Sequence, residues 1–159
     1  MEIERKYLLK EIPEWVKACP YKEMAQSYIS RSPVIRVRHI VQDGRETFIL
    51  TLKGRGLSMR EEYELDLNRL EYLNLLSKAE GRTIEKRRYL VPLEGGLTAE
   101  VDEFSGDLAG LKLVEVEFPS EEAMRAFRAP EWFGRDVSEE GTYQNSRLSD
   151  PHTNIEDIV

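Results

Sequence analysis

Charged residues stand at every second position along several stretches of this 159-residue chain. Glu2, Glu4 and Lys6 follow this spacing, and so do Arg36 and Arg38. Like charges two positions apart share one face of a β-strand, where each pair costs roughly a few tenths of a kcal/mol unless an opposite charge neutralises it. Divalent cations would neutralise the carboxylates, and phosphate groups would neutralise the basic side chains.

The same pattern extends over seven predicted strands. One face of these strands carries seven cations and eight acids: Lys6, Arg36, Arg38, Lys53, Arg60, Lys86, Arg88, Glu2, Glu4, Glu62, Glu64, Glu100, Asp102, Glu115 and Glu117. For any single strand, a solvated sheet face is the better explanation. An exposed face would mix opposite charges, however, whereas here paired acids recur four times and paired bases twice. The repetition favours a face that binds metal ions and phosphate groups.

Alternation with a period of two residues predicts the elements that carry these charges. Eight strands are expected at 2–9, 24–31, 34–42, 46–53, 59–67, 82–92, 97–104 and 111–118. Glycine-containing turns at 42–45, 54–56 and 94–96 predict antiparallel hairpins. Helices are expected at 69–79 after Asn68, at 121–128 after Ser120, and at 139–148. The predicted fold class is therefore β with flanking helices.

About eight antiparallel strands can close into a barrel whose interior holds side chains or one small ligand. If the charged face points inward, it lines a polar tunnel, and two or three helices cover the apolar outer face. We therefore expect an eight-stranded antiparallel β-barrel tunnel with a charged interior. Such a barrel would let an acidic protein bind a polyanion, because the bases face the lumen.

Length and composition restrict the classes of protein to which the chain could belong. A chain of 159 residues predicts one domain over 1–159, with a loose polar tail at 149–159. The net charge of −7 argues against nucleic acid as a partner, and no apolar run is long enough to suggest a membrane segment. One cysteine and two histidines are too few for a zinc cluster or an intrachain disulfide. We expect a cytoplasmic protein, either a monomer or a homodimer.

The ordered charged motifs resemble those of the CYTH superfamily of triphosphate tunnel metalloenzymes. The resemblance covers residues 2 to about 148 and rests on these motifs: Glu2-x-Glu4-x-Lys6, Arg36-x-Arg38, Leu52-Lys53, Arg60-x-Glu62-x-Glu64, Lys86-x-Arg88, Glu100-x-Asp102 and Glu115-x-Glu117. The chain is most similar to compact bacterial members that hydrolyse inorganic tripolyphosphate. Many of those carry Tyr-Lys-Asn near the C-terminus, whereas this chain has Tyr143-Gln144-Asn145.

The resemblance and the residue types together predict the roles of the charged residues. Arginine and lysine bind phosphate oxygens, so the expected substrate-binding residues are Lys6, Arg36, Arg38, Lys53, Arg60, Lys86 and Arg88. Carboxylates suit Mg²⁺ or Mn²⁺, so the expected metal ligands are Glu2, Glu4, Glu62, Glu64, Asp102, Glu115 and Glu117.

The resemblance also implies a catalytic pair of Lys53 and Tyr28. Other cations near Lys53 would favour its neutral amine, which could then accept a proton from water. The alternatives are that Lys53 binds a phosphate like the other basic residues, that Tyr28 only fills the barrel, and that a metal ion activates the water without help from a lysine. The sequence does not decide among them.

The resulting hypothesis is metal-dependent hydrolysis of a small-molecule triphosphate, namely inorganic tripolyphosphate to pyrophosphate and phosphate. Thiamine triphosphatase and class IV-type adenylate cyclase are alternatives on the same fold. A noncatalytic polyphosphate-binding module is an alternative of another class. Such a module needs the bases but not four acidic pairs, so the acidic pairs favour an enzyme.

Overall fold

The computed structural model describes residues 1–158, and within them nine strands and three α-helices are present. The strands are β1 (Glu2–Leu8), β2 (Tyr21–Arg31), β3 (Val34–Gln42), β4 (Arg45–Lys53), β5 (Met59–Arg60), β6 (Glu62–Leu67), β7 (Glu80–Pro92), β8 (Thr98–Phe104) and β9 (Lys112–Glu117). The helices are α1 (Arg69–Leu76), α2 (Glu121–Ala126) and α3 (Asn145–Leu148). The predicted β class with flanking helices is confirmed.

All the strands belong to one antiparallel sheet with the order β5-β1-β9-β8-β7-β2-β3-β4-β6. The two end strands, β5 and β6, are separated in sequence by Glu61 alone. One stretch of chain therefore connects the two edges of the sheet and bends it into a nearly closed barrel. The expected barrel is confirmed in this form.

The strand predicted at 59–67 is two strands in the structure, which accounts for nine strands instead of eight. Arg60 in β5 pairs with Glu2 of β1, whereas Glu62 in β6 pairs with Lys53 of β4. Each half of this stretch pairs with a different neighbour, so the ladder is interrupted between them. Alternation continues through the interruption, which explains why the sequence pattern does not reveal it.

The apolar residues that alternate with the charged ones point out of the barrel and form its core with the elements that cover it. Tyr7 of β1 packs on Phe133, with ring centroids 5.0 Å apart, and Phe118 packs on Phe127 at 5.2 Å. Helix α1 covers another part of the outer face through Tyr72, which lies 5.0 Å from the ring of Phe48. Much of the hydrophobic core therefore lies outside the sheet, whereas a further cluster that includes Tyr28 lies on the inner face with the charged residues.

Helices α1 and α2 begin where predicted, and all three helices are shorter than expected. Asn68 and Glu71 form a capping box at the start of α1, and Ser120 accepts a hydrogen bond from the Ala123 amide at the start of α2. Of the predicted helix at 139–148, only α3 is α-helical, preceded by a 3₁₀ turn at Gly141–Tyr143.

The C-terminal segment packs against the barrel, which differs from the expected loose tail. Ile158 is buried in a cluster that includes Tyr143 and Leu148, and the Tyr143 hydroxyl donates to the Ile158 carbonyl at 3.0 Å. Arg82 of β7 donates to the carbonyls of Leu148 and Thr153. Hydrogen bonds and apolar contacts thus attach this segment to the barrel, although most of its residues between 151 and 157 are exposed.

The hairpin predicted at 42–45 is present between β3 and β4, and Asp43 and Gly44 have the positive φ values that such a turn requires. No helix in the described part of the chain is long and apolar enough to cross a membrane.

Candidate active site

A polar cavity of about 200 Å³ lies inside the barrel. Thirteen of the fifteen predicted site residues line it: Glu2, Glu4, Lys6, Tyr28, Arg36, Arg38, Lys53, Arg60, Glu62, Glu64, Arg88, Glu115 and Glu117. They come from strands distributed around the whole sheet, so barrel closure brings them together. Pockets for drug-sized ligands measure about 300–1,000 Å³, so this cavity suits a small, charged ligand.

Asp102 and Lys86 are the two predicted site residues that do not line the cavity. Lys86 Nζ lies 2.7 Å from Asp102 Oδ2, and Arg88 donates to both Asp102 oxygens at 2.7 and 2.8 Å. Burial alone would raise the pKa of Asp102, but Arg88 and then Lys86 lower it below its ordinary value. The structure therefore places Asp102 in a buried ion pair behind the cavity wall, and not among the candidate metal ligands.

Carboxylates are concentrated on β1 and β9. Glu4 stands directly opposite Glu117 in the ladder between these strands. Burial, followed by the charge of Glu115, raises the pKa of Glu4 to about 8. Burial and the charge of Glu2 likewise raise the pKa of Glu117. These acids repel one another across the sheet, so an added cation would stabilise their ionised forms.

The carboxylate oxygens of this region suit a hard divalent cation. Within residues 1–158, no three acidic, histidine or cysteine side chains already stand in a ligand arrangement. Mg²⁺ in phosphate sites commonly takes one or two carboxylates and completes its octahedron with water and substrate oxygens. The donor set at Glu2, Glu4 and Glu117 fits that mode of binding.

Glu115 differs from these acids because cations contact it. Its Oε1 lies 3.4 Å from Lys6 Nζ, and its Oε2 lies 3.6 Å from Arg88 Nη2. Burial alone would raise the pKa of Glu115, but Lys6 and Arg88 lower it well below the ordinary value. The charge of Glu115 is thus compensated within the protein.

Strands β3 and β9 are four places apart in the order of the sheet, so the arginines on β3 lie across the barrel from the acidic strands. Within the described residues, no carboxylate lies within ion-pairing distance of Arg36 or Arg38. Burial, followed by the charges of Arg36 and Arg88, lowers the pKa of Arg38 to about 9. This wall therefore carries uncompensated positive charge and suits an anion.

The neighbours of Lys53 differ from those expected. Its ammonium lies 3.1 Å from Glu2 Oε1 and 3.4 Å from Glu62 Oε2, so carboxylates and not cations contact it. Tyr28 lines the same cavity, and its hydroxyl accepts a hydrogen bond from Gln26 Nε2 at 3.3 Å. Over residues 1–158 no hydrogen bond joins Lys53 to Tyr28, so the structure does not pair them directly.

Several lining residues were not predicted. Gln144, Asn145 and Ser146 reach the cavity from the C-terminal segment, and Lys22 and Met24 reach it from β2. Lys22 and Met24 alternate with Tyr28 on one face of β2, so strand periodicity could have identified them. Nothing in the local sequence shows that residues 144–146 fold back onto the barrel.

Comparisons with known proteins agree with this geometry. Residues 1–150 match the CYTH domain. An inorganic triphosphatase of Nitrosomonas europaea is 40% identical over 149 residues, which cover 93% of this chain and 96% of that protein. An inorganic triphosphatase of Acetivibrio thermocellus is 37% identical over 172 aligned positions, which cover 98% of both chains.

Solved structures show the same architecture. The crystal structure of an inorganic triphosphatase has a TM-score of 0.65 and 36% identity, with 94% of each chain covered. A Hippeastrum protein, described as having a dominant triphosphatase activity, has a TM-score of 0.61 over 79% of this chain and 83% of that one. At 18% identity, the latter shows a shared fold alone. The match over residues 1–150 and these relatives show that the chain belongs to the CYTH domain family.

Proposed function

We propose that this protein is a triphosphatase that hydrolyses inorganic tripolyphosphate to pyrophosphate and phosphate. One observation carries the proposal: a single small cavity has uncompensated carboxylates at Glu4 and Glu117 and uncompensated arginines at Arg36 and Arg38. A metal ion with a linear polyphosphate complements both walls at once. The similarity to two inorganic triphosphatases supports the same substrate.

Triphosphatases of the CYTH family are in general metal-dependent. We propose Mg²⁺ or Mn²⁺ for this chain, held by carboxylates among Glu2, Glu4, Glu62, Glu64, Glu115 and Glu117. A bound ion would neutralise phosphate oxygens and draw electron density from the phosphorus under attack. Asp102 is omitted from this set because Lys86 and Arg88 occupy its oxygens.

The basic residues of the chain would hold the substrate in line for displacement. Phosphoryl transfer depends on alignment and on stabilisation of charge at the phosphoryl oxygens. Guanidinium groups bind those oxygens through two parallel hydrogen bonds. We assign this role to the lining cations Lys6, Arg36, Arg38, Arg60 and Arg88, with Lys86 acting behind the wall through its contact with Asp102.

We propose that Lys53 accepts a proton from the attacking water, a step that only its neutral amine could perform. Its alternative role is to bind a phosphate, because it also lines the cavity as a cation. Tyr28 is buried in a hydrophobic cluster, which supports its alternative role as an aromatic that fills the barrel.

A second candidate substrate is an organic triphosphate such as thiamine triphosphate or a nucleoside triphosphate. A neighbouring cavity of about 700 Å³ shares Lys53, Arg60 and Gln144 with the first and is lined in addition by Tyr63. The organic group would occupy this second cavity while the phosphates bind in the first.

Phosphate release from tripolyphosphate, pyrophosphate, ATP and thiamine triphosphate tests these alternatives, with Mg²⁺, Mn²⁺ or excess EDTA. We expect tripolyphosphate to have the highest kcat/KM, because pyrophosphate engages only part of the basic wall. Activity should disappear in EDTA. Undiminished turnover in EDTA would refute metal dependence, and binding without turnover under all conditions would indicate a noncatalytic module.

A further inference from the structure

Three arginines that line the cavity are each held by an uncharged side chain. The hydrogen bonds run from Arg38 Nε to Gln26 Oε1 at 2.8 Å, from Arg36 Nη2 to Thr51 Oγ1 at 3.1 Å, and from Arg60 Nη2 to Gln144 Oε1 at 2.9 Å. The three acceptors come from β2, β4 and the residue that precedes α3. The same type of contact is therefore built from three separate parts of the chain.

The three acceptors are buried, with exposed fractions of 0% for Gln26, 0% for Thr51 and 5% for Gln144. Burying a polar side chain is unfavourable unless it forms hydrogen bonds. Gln26 and Thr51 stand directly opposite their arginines in the β2–β3 and β3–β4 ladders. Strand register thus sets two of the contacts, and the folded-back C-terminal segment supplies the third.

Other cations of the site are held by carboxylates. Arg88 donates to both oxygens of Asp102, and Lys53 contacts Glu2 and Glu62. A carboxylate orients a cation and also cancels its charge. An amide or hydroxyl oxygen orients the cation but leaves its charge available to a ligand.

The arginines held by neutral groups keep unused hydrogen-bonding capacity. Arg36 Nε and Arg60 Nε are both buried, and neither has a hydrogen-bond partner within the described residues. Arg60 also forms an ion pair with Glu2, with 3.7 Å between Nε and Oε1, which is longer than a hydrogen bond and compensates its charge in part. A buried guanidinium donor without an acceptor is costly, and a phosphate oxygen would satisfy it.

We infer that Gln26, Thr51 and Gln144 are positioning residues, which orient three arginines toward the phosphates of the substrate without themselves cancelling the positive charge. This inference rests on the proposed triphosphatase function and adds to it the groups that set the charge of the phosphate-binding wall. Gln144 occupies the position where the sequence departs from the Tyr-Lys-Asn pattern. Its neutral amide supplies an acceptor to Arg60, which a lysine side chain would not do.

Gln144→Glu and Gln26→Glu test the inference, because glutamate keeps the shape and the acceptor oxygen but adds a negative charge. We expect each variant to raise the KM for tripolyphosphate and its calorimetric Kd about tenfold, equivalent to about 1.4 kcal/mol. The thermal midpoint should stay the same or rise, since the arginine gains an ion pair. Gln42→Glu, at the β3–β4 turn, is the matched control and should leave Kd unchanged.

Thr51→Val and Thr51→Ser provide a second test that does not depend on the glutamate variants. Valine removes the acceptor of Arg36 and should raise Kd, whereas serine keeps a hydroxyl and should restore it. Wild-type Kd and KM in Gln144→Glu, Gln26→Glu and Thr51→Val would overturn the inference. Failure of the wild-type protein to hydrolyse any triphosphate would refute the proposed function instead, and the Kd measurements would still test the positioning role.

Discussion

Replacing Glu4 with glutamine should stabilise the metal-free protein at pH 8 and abolish most of its activity. Glu4 is 7% exposed and stands opposite Glu117, with Glu115 as the neighbour that most raises its pKa. Glutamine has nearly the same shape but carries no charge. The variant therefore removes the repulsion in the acidic cluster together with one proposed metal ligand.

The magnitude follows from the pKa of Glu4, which is raised from 4.5 to about 8 in the folded protein. Between these values the folded state retains a proton that the unfolded chain has lost, so stability falls as the pH rises through this range. At ~1.36 kcal/mol per pKa unit, the full shift corresponds to about 5 kcal/mol. Because neighbouring acids share the repulsion, we take about 1 kcal/mol, or roughly 2–4 °C in Tm, as the minimum effect.

Urea and thermal unfolding in EDTA at pH 5 and pH 8 measure this effect. Glu4→Gln should match the wild type at pH 5 and exceed its stability at pH 8. Glu11→Gln, which changes an exposed acid, is the control and should follow the wild type at both pH values. Adding Mg²⁺ at pH 8 should stabilise the wild type more than Glu4→Gln. Equal losses of stability between pH 5 and pH 8 in Glu4→Gln and the wild type would refute the argument.

Four further substitutions test the roles given to individual residues. If Lys53 accepts the proton, Lys53→Arg should lower kcat with little change in KM. Lys6→Arg should mainly change KM. Proton transfer to Lys53 would be excluded if the pH–rate profiles of Lys53→Arg and the wild type overlay. Asp102→Asn should destabilise the protein by about 3–5 kcal/mol in urea unfolding, because it leaves the buried Lys86 without its ionic partner. A variant as stable as the wild type would contradict the structural role given to Asp102. Glu117→Ala should remove most metal-dependent activity while circular dichroism shows a folded protein; full activity would exclude Glu117 from the metal site.

Most of the site could be predicted from the sequence, because the strand period is a local property. Residues such as Glu2, Glu4 and Lys6 share a face wherever the strand lies, since side chains alternate along any β-strand. The excess of like charges on those faces also indicated an interior ligand site. The cavity contains thirteen of the fifteen predicted residues for this reason.

The pairing of charges depended on the tertiary structure. Asp102 has the same alternation as Glu100, but its register opposite Arg88 places it in a buried ion pair. Lys53 was expected among cations, yet the ladder between β4 and β6 sets it beside Glu62. Register joins residues far apart in sequence, and nothing local to either residue determines it.

Alternation along the chain is enough to specify which side chains share a face, because it needs only the geometry of a single strand. Contacts in the folded barrel are needed to divide the stretch around Glu61 between two neighbouring strands and to bring Gln144 beside Arg60. Both outcomes depend on contacts between distant segments, whose free energy arises from closing the barrel and burying its outer face. Local sequence preferences do not specify such contacts. A neutral glutamine or threonine can orient an arginine only when the fold places that arginine beside it.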